Sequence, residues 1–276
     1  MKMHQLSVVI IACNEEANIG ACIRSARAVS SDVVVVDSGS RDHTMAVAAR
    51  AGARVCKMEW KGYGAARNFG ALKARHNWIL ALDADERITA VLAASINENI
   101  FKDGYIYKFR RANFIGDQMI RWGTPGFDKV ARIYDRNYCS WDLSLVHEAL
   151  AGNISAVEML EGRVNHFGIK DFDDHRQKTN RYAGMSAQKY FLQGKKPGPL
   201  KKLVSSVFNS VKSYIFQLGF LDGRTGWHVA CTIARYSWRK YAYLEQFNAG
   251  ALVKEEGVGI SRPMEKPVRK VFSSGI

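Results

Sequence analysis

Two carboxylates separated by one residue close an apolar run at Trp78-Ile79-Leu80-Ala81-Leu82-Asp83-Ala84-Asp85-Glu86. In a strand, positions i and i+2 share a face, so the spacing predicts that Asp83 and Asp85 converge. Paired hard oxygens at the carboxyl end of a strand suit one Mg²⁺ or Mn²⁺, whose shell is normally completed by substrate phosphates. The pair is a candidate clamp for a cation and a diphosphate. Acidic doublets also serve as solvated turns or helix N-terminal charges, and a shared grip requires both side chains to be free of ion pairs. An EF-hand is excluded, because Arg87 and Ile88 stand where that loop needs an oxygen ligand and a glycine.

Strands must carry these groups to one place. Leu6 to Cys13, Val33 to Asp37 and Arg54 to Met58 read as strands, alternating with helices from about Glu15 to Val29 and from about Asp42 to Ala51. A further helix, Gly62 to Arg75, leads into the strand that ends at Asp83. Val- and Ile-rich strands without polar alternation predict a parallel sheet covered by helices on both faces. Open α/β sheets bind ligands beyond the carboxyl ends of their strands. Here those ends are Cys13-Asn14-Glu15, Asp37-Ser38-Gly39-Ser40 and Asp83-Ala84-Asp85, a rim of nucleotide size. Asp37 can accept hydrogen bonds from a base or ribose, or it can cap its own turn. No G-x-G-x-x-G follows the first strand and no G-x-x-x-x-G-K-[ST] occurs, which speaks against a Rossmann dehydrogenase and excludes a P-loop NTPase.

A chain of 276 residues with 47% hydrophobic content can bury one α/β domain with an appendage, or two small domains. Its net charge of +14 is uneven: residues 1–150 hold 20 Lys+Arg against 16 Asp+Glu, and residues 151–276 hold 20 against 10. Such an excess suits nucleic acid, anionic headgroups or a phosphorylated substrate. The five cysteines are scattered without a CxxC and read as reduced thiols in a cytosolic setting. Leu6 to Cys13 is a core strand rather than a signal-peptide core, since Asn14-Glu15-Glu16 follows directly. No apolar run approaches the roughly 18 residues of a transmembrane helix.

The basic second half supplies helices. Asp171 to Gln193 reads as a polar helix, broken by Gly194-Lys195-Lys196-Pro197-Gly198-Pro199, the clearest hinge in the chain. Leu200, Leu203, Val204, Val207, Phe208, Val211, Tyr214, Ile215 and Leu218 then form an apolar stripe, with Lys, Ser, Asn and Gln opposite. That stripe can pack on the domain or lie in a membrane interface. Gly219 to Gly223 ends this helix, and Thr225 to Phe247 carries Trp and Tyr among Arg and Lys, as the headgroup zone accommodates. A nucleic-acid binder is the competing reading of the charge, but no RNA- or DNA-binding motif is present.

Four stretches in this order carry a resemblance: Val8-Val9-Ile10-Ile11-Ala12-Cys13-Asn14-Glu15-Glu16, Val36-Asp37-Ser38-Gly39-Ser40-Arg41-Asp42-His43-Thr44, Gly64-Ala65-Ala66-Arg67-Asn68-Phe69-Gly70 and Leu82-Asp83-Ala84-Asp85-Glu86. Together they resemble family 2 glycosyltransferases, and within them the lipopolysaccharide core β-glucosyltransferase branch, over about residues 5 to 247. The resemblance implies a GT-A fold, a nucleotide-sugar donor, a divalent cation and inversion at the anomeric carbon. It places Asn14 and Glu15 beside the nucleotide, Asp37 at the base, Arg67 near the nucleotide, Asp83 at the ribose and Asp85 on the metal and diphosphate. With the periodicity and composition read above, the chain divides into a catalytic domain at 1–165 (donor half about 1–90, acceptor half about 91–165), a basic helical extension at 166–249 and a loose tail at 250–276.

Inversion needs a base across the sugar from the departing diphosphate. The resemblance points to Glu148, with His147 orienting it or touching the acceptor, and to Asp128 as the fallback. A zinc-protease reading of His147-Glu148 fails for lack of a second histidine. Trp122 and Phe127 can stack on a sugar or pack in the core, and Arg132 can add to the metal's charge. Where relatives often read Arg-Leu-Phe-Arg-Arg, this chain has Arg132-Ile133-Tyr134-Asp135-Arg136, which leaves the acceptor open. The expected activity is transfer of a hexose, glucose from UDP-glucose being the choice, onto a cell-envelope glycolipid at the cytoplasmic face of the inner membrane. Transfer to a polyprenyl phosphate is the enzymatic alternative.

Overall fold

The computed structural model describes residues 5–143, 148–198 and 200–250. His147 and nearly all of the expected 250–276 tail lie outside the described residues. The chain runs β1 (Leu6–Ala12), α1 (Ile19–Ala26), β2 (Asp32–Asp37), α2 (Thr44–Arg50), β3 (Arg54–Lys57), α3 (Tyr63–Lys73) and β4 (Trp78–Asp83). It continues with β5 (Glu86–Ile88), α4 (Ala90–Glu98), β6 (Tyr105–Ile115), β7 (Gln118–Met119), α5 (Gly123–Gly126), β8 (Lys129–Asp135), β9 (Cys139–Trp141), β10 (Leu150–Gly152) and β11 (Ala156–His166). The helices α6 (Phe172–Leu192), α7 (Lys201–Val211) and α8 (Gly223–Asn248) follow, with a π turn at Lys212–Phe216 and a 3₁₀ turn at Gly219–Asp222 between the last two.

The main sheet has the order β3-β2-β1-β4-β8-β6-β11-β5. Its first four strands are parallel, as their unbroken apolar runs predict, and every residue of β1 and β2 is buried. The sheet is not parallel throughout, because β8 runs against both β4 and β6. Two reversals restore the direction, so β6 and the parallel β11 run the same way as β4. The carboxyl ends of β1, β2, β4, β6 and β11 therefore share one edge, joined there by the start of β8.

Both faces are covered. On one, α1, α2 and α4 pack Ile19, Cys22, Ile23, Ala48, Leu92 and Ile96 against Val8, Ile10 and Leu80. On the other, Ala66 and Ala71 of α3 meet Val9, Ile11 and Ile79. The approach of α3 is close at Gly70, where an added Cβ would fall 2.3 Å from a Val9 methyl. That proximity seats the α3 residues against the strand ends.

Helices α6 and α8 pack on one another through a small core of Ala187, Tyr241, Leu244 and Phe247, and α7 lies against α8. Here α7 is turned opposite to an ordinary surface helix. Its serines and asparagine face inward: Asn209 Nδ2 donates to Ser237 Oγ at 3.1 Å, Ser210 Oγ donates to the Ala230 carbonyl at 2.9 Å, and Ser206 is buried, as is Ser213 in the π turn that follows. Its apolar stripe, Leu200, Leu203, Val204, Val207 and Phe208, is exposed, as are Phe216, Phe220, Leu221 and Trp227 beyond it. Of the two expected placements of the stripe, packing on the domain is not the one observed. The intervening turns are fixed to the sheet domain, since Asp222 Oδ2 accepts from the backbone N–H groups of Arg121 and Trp122 at 3.0 and 2.8 Å.

Candidate active site

The loops after β1 and β2 are tied together before any ligand arrives. Asn14 adopts a left-handed φ of 55°, donates its backbone N–H to Ser40 Oγ at 2.9 Å and accepts from the Arg41 N–H at 2.8 Å. The Glu15 N–H donates to Thr44 Oγ1 at 2.7 Å. Burial raises the Glu15 carboxyl above its ordinary value against the Asn18 amide, with nearby Asp85 adding to the rise. The two oxygens of Asp37 differ in their surroundings. Oδ1 accepts from the Gly39 and Ser40 N–H groups at 3.0 Å, closing an Asx turn. Oδ2 is buried without a partner, and the residue lines a cleft of about 340 Å³ with Gly39, Ser40, Met45, Lys57, Met58 and Glu59.

On the other side of β1, at the end of β4, lies a buried charge network. Arg67, 2% exposed, donates to Asp83 Oδ1 at 2.6 Å and, through its other terminal nitrogen, to Glu148. Arg132 donates to Asp83 Oδ2 at 3.0 Å, and the Trp141 ring lies under both guanidiniums, 4.7 and 5.6 Å from their carbons. Burial alone would raise the Asp83 carboxyl; Arg132 and Arg67 override it and hold the group well below the carboxylate range. The Asp83 N–H in turn donates to Glu86, a fully buried carboxyl pushed up by burial and by Asp83.

Asp85 stands apart from these arginines. Strand β4 ends at Asp83 and Asp85 sits in the turn before β5, so strand alternation does not align the two. The expected convergence therefore does not follow from strand geometry. Asp83 has both oxygens in ion pairs, whereas Asp85 Oδ2 lies 3.4 Å from His166 Nε2 and its Oδ1 is buried without a partner. At Gly168, an added Cβ would fall 2.6 Å from Asp85 Oδ2 and 2.7 Å from His166 Nε2. Only glycine leaves that space open. Among the described residues no group of three or more His, Cys, Asp or Glu forms a metal cage. One carboxylate, with one of its oxygens orphaned, and one imidazole fit a cation that takes its remaining ligands from a substrate.

Of the other expected site residues, Glu148 joins Asp83 through Arg67, while Asp128 is held by Arg111 at 2.7 Å and by Asn113 at 3.2 Å. Phe127 is exposed and Trp122 is half-buried. The structure adds Glu86, Arg111, Asn113, Trp141 and His166. Glu86 stood in the acidic motif itself. His166 had only a faint signal, a polar residue ending an alternating strand just before Gly168. Its neighbour across the sheet, Asn113, lies 53 positions away in sequence.

A mostly parallel, helix-covered sheet with an acid-rich carboxyl edge defines a GT-A-like α/β protein. A mannosyltransferase from Pyrobaculum calidifontis, solved with GDP-Man and Mn²⁺, shares this fold with a TM-score of 0.52 at 14% identity, over 87% of this chain and 86% of that one. Residues 7–137 match Glycosyl transferase family 2, and the chain carries a domain of that family. The protein is a glycosyltransferase. A lipopolysaccharide core biosynthesis glycosyltransferase of Rhizobium meliloti is 29% identical over 254 residues, 88% of this chain and 93% of that protein. An uncharacterized glycosyltransferase of Rickettsia typhi is 28% identical over 238 residues, 81% of each.

Proposed function

We propose that this enzyme transfers a hexose, with inversion, from a nucleotide diphosphate sugar to a hydroxyl of a cell-envelope glycolipid such as the lipopolysaccharide core. UDP-glucose is the proposed donor. The observation that carries the reading is a pair of buried carboxylate oxygens without partners, Asp37 Oδ2 and Asp85 Oδ1, on one sheet edge. A buried acceptor of this kind suits the N–H of a base in the cleft beside Asp37, and the other suits a cation. Mg²⁺ or Mn²⁺ would be held by Asp85 and His166 and would neutralise charge growing on the departing diphosphate. Asp83 is reassigned from cation ligand to anchor: it fixes Arg67 and Arg132, whose guanidiniums add positive potential near the leaving group.

Glu148 takes the proton of the attacking hydroxyl in this reading. Its carboxylate is placed by Arg67, the same side chain that holds Asp83, so base and leaving-group side share one rigid anchor. Asp128 is the second candidate, at the start of β8 on the same edge.

The glycolipid acceptor is met at a membrane surface. No described helix is long and apolar enough to cross a membrane. The outward stripe of α7 and the exposed Phe216, Phe220, Leu221 and Trp227 support peripheral attachment, with Lys201, Lys212 and Arg224 for anionic headgroups. Asp222 links this helical pair directly to the loop at Trp122, next to the acceptor side. The deciding experiment is a thermal-shift panel of nucleoside diphosphates and sugar nucleotides with and without Mn²⁺. A cation-dependent rise with one UDP-sugar is expected. No rise with any nucleotide would refute the donor assignment.

A further inference from the structure

Asn113 is a buried residue near the carboxyl end of β6, and its side chain makes three polar contacts. Nδ2 lies 3.0 Å from the Pro125 carbonyl oxygen and 3.2 Å from Asp128 Oδ2. Oδ1 lies 2.8 Å from His166 Nδ1. Two of these partners decide the third. A carbonyl and a carboxylate can only accept, so the amide nitrogen must face them and the amide oxygen must face the imidazole. An amide oxygen can only accept as well. His166 Nδ1 must therefore carry a proton, which leaves Nε2, the nitrogen beside Asp85, with a free lone pair whenever the ring is neutral.

We infer that Asn113 is a positioning residue that locks His166 in the Nδ1–H tautomer, so that Nε2 and Asp85 together present a two-ligand cation site. This rests on the cation site proposed above. The opposite tautomer would aim an N–H at the place where the cation belongs, and the pair would bind it poorly. The lock has two supports. Asp128 is fixed by Arg111, and the Pro125 carbonyl belongs to α5, whose Thr124 N–H donates to Ser213 Oγ at 3.0 Å. The imidazole is thus set by the acceptor-side loop rather than by its own strand. Such outer hydrogen bonds to a ligating histidine typically change metal affinity by about 10 to 100-fold.

The test uses the full-length protein, labelled with ¹⁵N-histidine, at a pH where the ring is neutral. Long-range ¹H–¹⁵N spectra report which ring nitrogen holds the proton, and Mn²⁺ affinity is measured separately by titration without any sugar donor. In the unaltered protein His166 should be Nδ1–H. In Asn113→Ala the tautomer preference should be lost and Mn²⁺ should bind about 10 to 100-fold more weakly. An Nε2–H ring in the unaltered protein overturns the inference, and that spectrum decides even if Asn113→Ala does not fold. A folded Asn113→Ala with the same tautomer and the same Mn²⁺ affinity also overturns it. Should the unaltered protein show the Nδ1–H ring yet bind no Mn²⁺, the cation reading fails while the tautomer lock stands.

Discussion

The orientation of α7 makes a quantitative demand. Leu203, Val204, Val207 and Phe208 are 53, 60, 54 and 61% exposed, so more than half of each side chain still meets water. Full burial of such a side chain is worth about 1.5–3 kcal/mol. Moving the wet half into an interface therefore gains about 1 kcal/mol per residue, or about 4 kcal/mol for the four together. At about 1.4 kcal/mol per decade that is close to a thousandfold in partitioning. Replacing all four by glutamine preserves helix propensity and removes the apolar face. Sedimentation with anionic vesicles, at low and at high salt, should show binding reduced by about three orders of magnitude, while the melting temperature is unchanged. Unaltered protein should retain much of its binding at high salt, because only the Lys and Arg share is screened. As a converse, Ser206→Leu on the inward face should lower stability by about 1–3 kcal/mol through overpacking. A quadruple variant that melts early and still binds vesicles would refute the reasoning, for it would mean that the stripe is a core.

Asp85→Ala should reduce transfer by about 10² to 10³ while leaving the melting temperature in the absence of cation intact, and Mn²⁺ should no longer raise that temperature. Activity unchanged in excess chelator would count against the cation. Glu148→Gln should bind the donor normally and lose turnover; if turnover survives there, Glu148 is not the base. Stability should also depend on pH through His175, whose Nδ1 lies 3.1 Å from His228 Nε2 and which is lowered to about 4 by burial, with His228 lowering it further. Its folded value lies below the ordinary 6.5, so the unfolded chain takes up the proton first. Stability is therefore full above about 6.5 and falls as the pH drops toward 4, a slope that His175→Phe should flatten in denaturant melts.

Much of the N-terminal parallel part of the sheet is legible because its strands are buried on both faces, and only apolar, β-branched runs survive there. The three polar strand ends follow from the same pattern, since a run that must stay dry can change to Asn14, Asp37 or Asp83 only where it leaves the sheet. Two things were not legible, and both concern direction rather than identity. Alternation predicts which way Asp85 points only while the strand lasts, and β4 stops two residues short of it. Likewise the meeting of Asn113 with His166 depends on β11 lying beside β6 in a register where those two residues are partners. No local signal carries that register. The α7 stripe shows the limit most plainly. Periodicity reports that apolar side chains share one side of a helix, but an inward stripe and an outward one give the same sequence pattern. What distinguishes them is the opposite face: serines and an asparagine small enough to bring α8 close and able to bond it leave no room for a solvated inner face. A polar stripe whose middle is Ser and Asn, with Lys202 reaching Glu245 of α8 at its start, is thus the feature that marks this helix as facing outward with its oil.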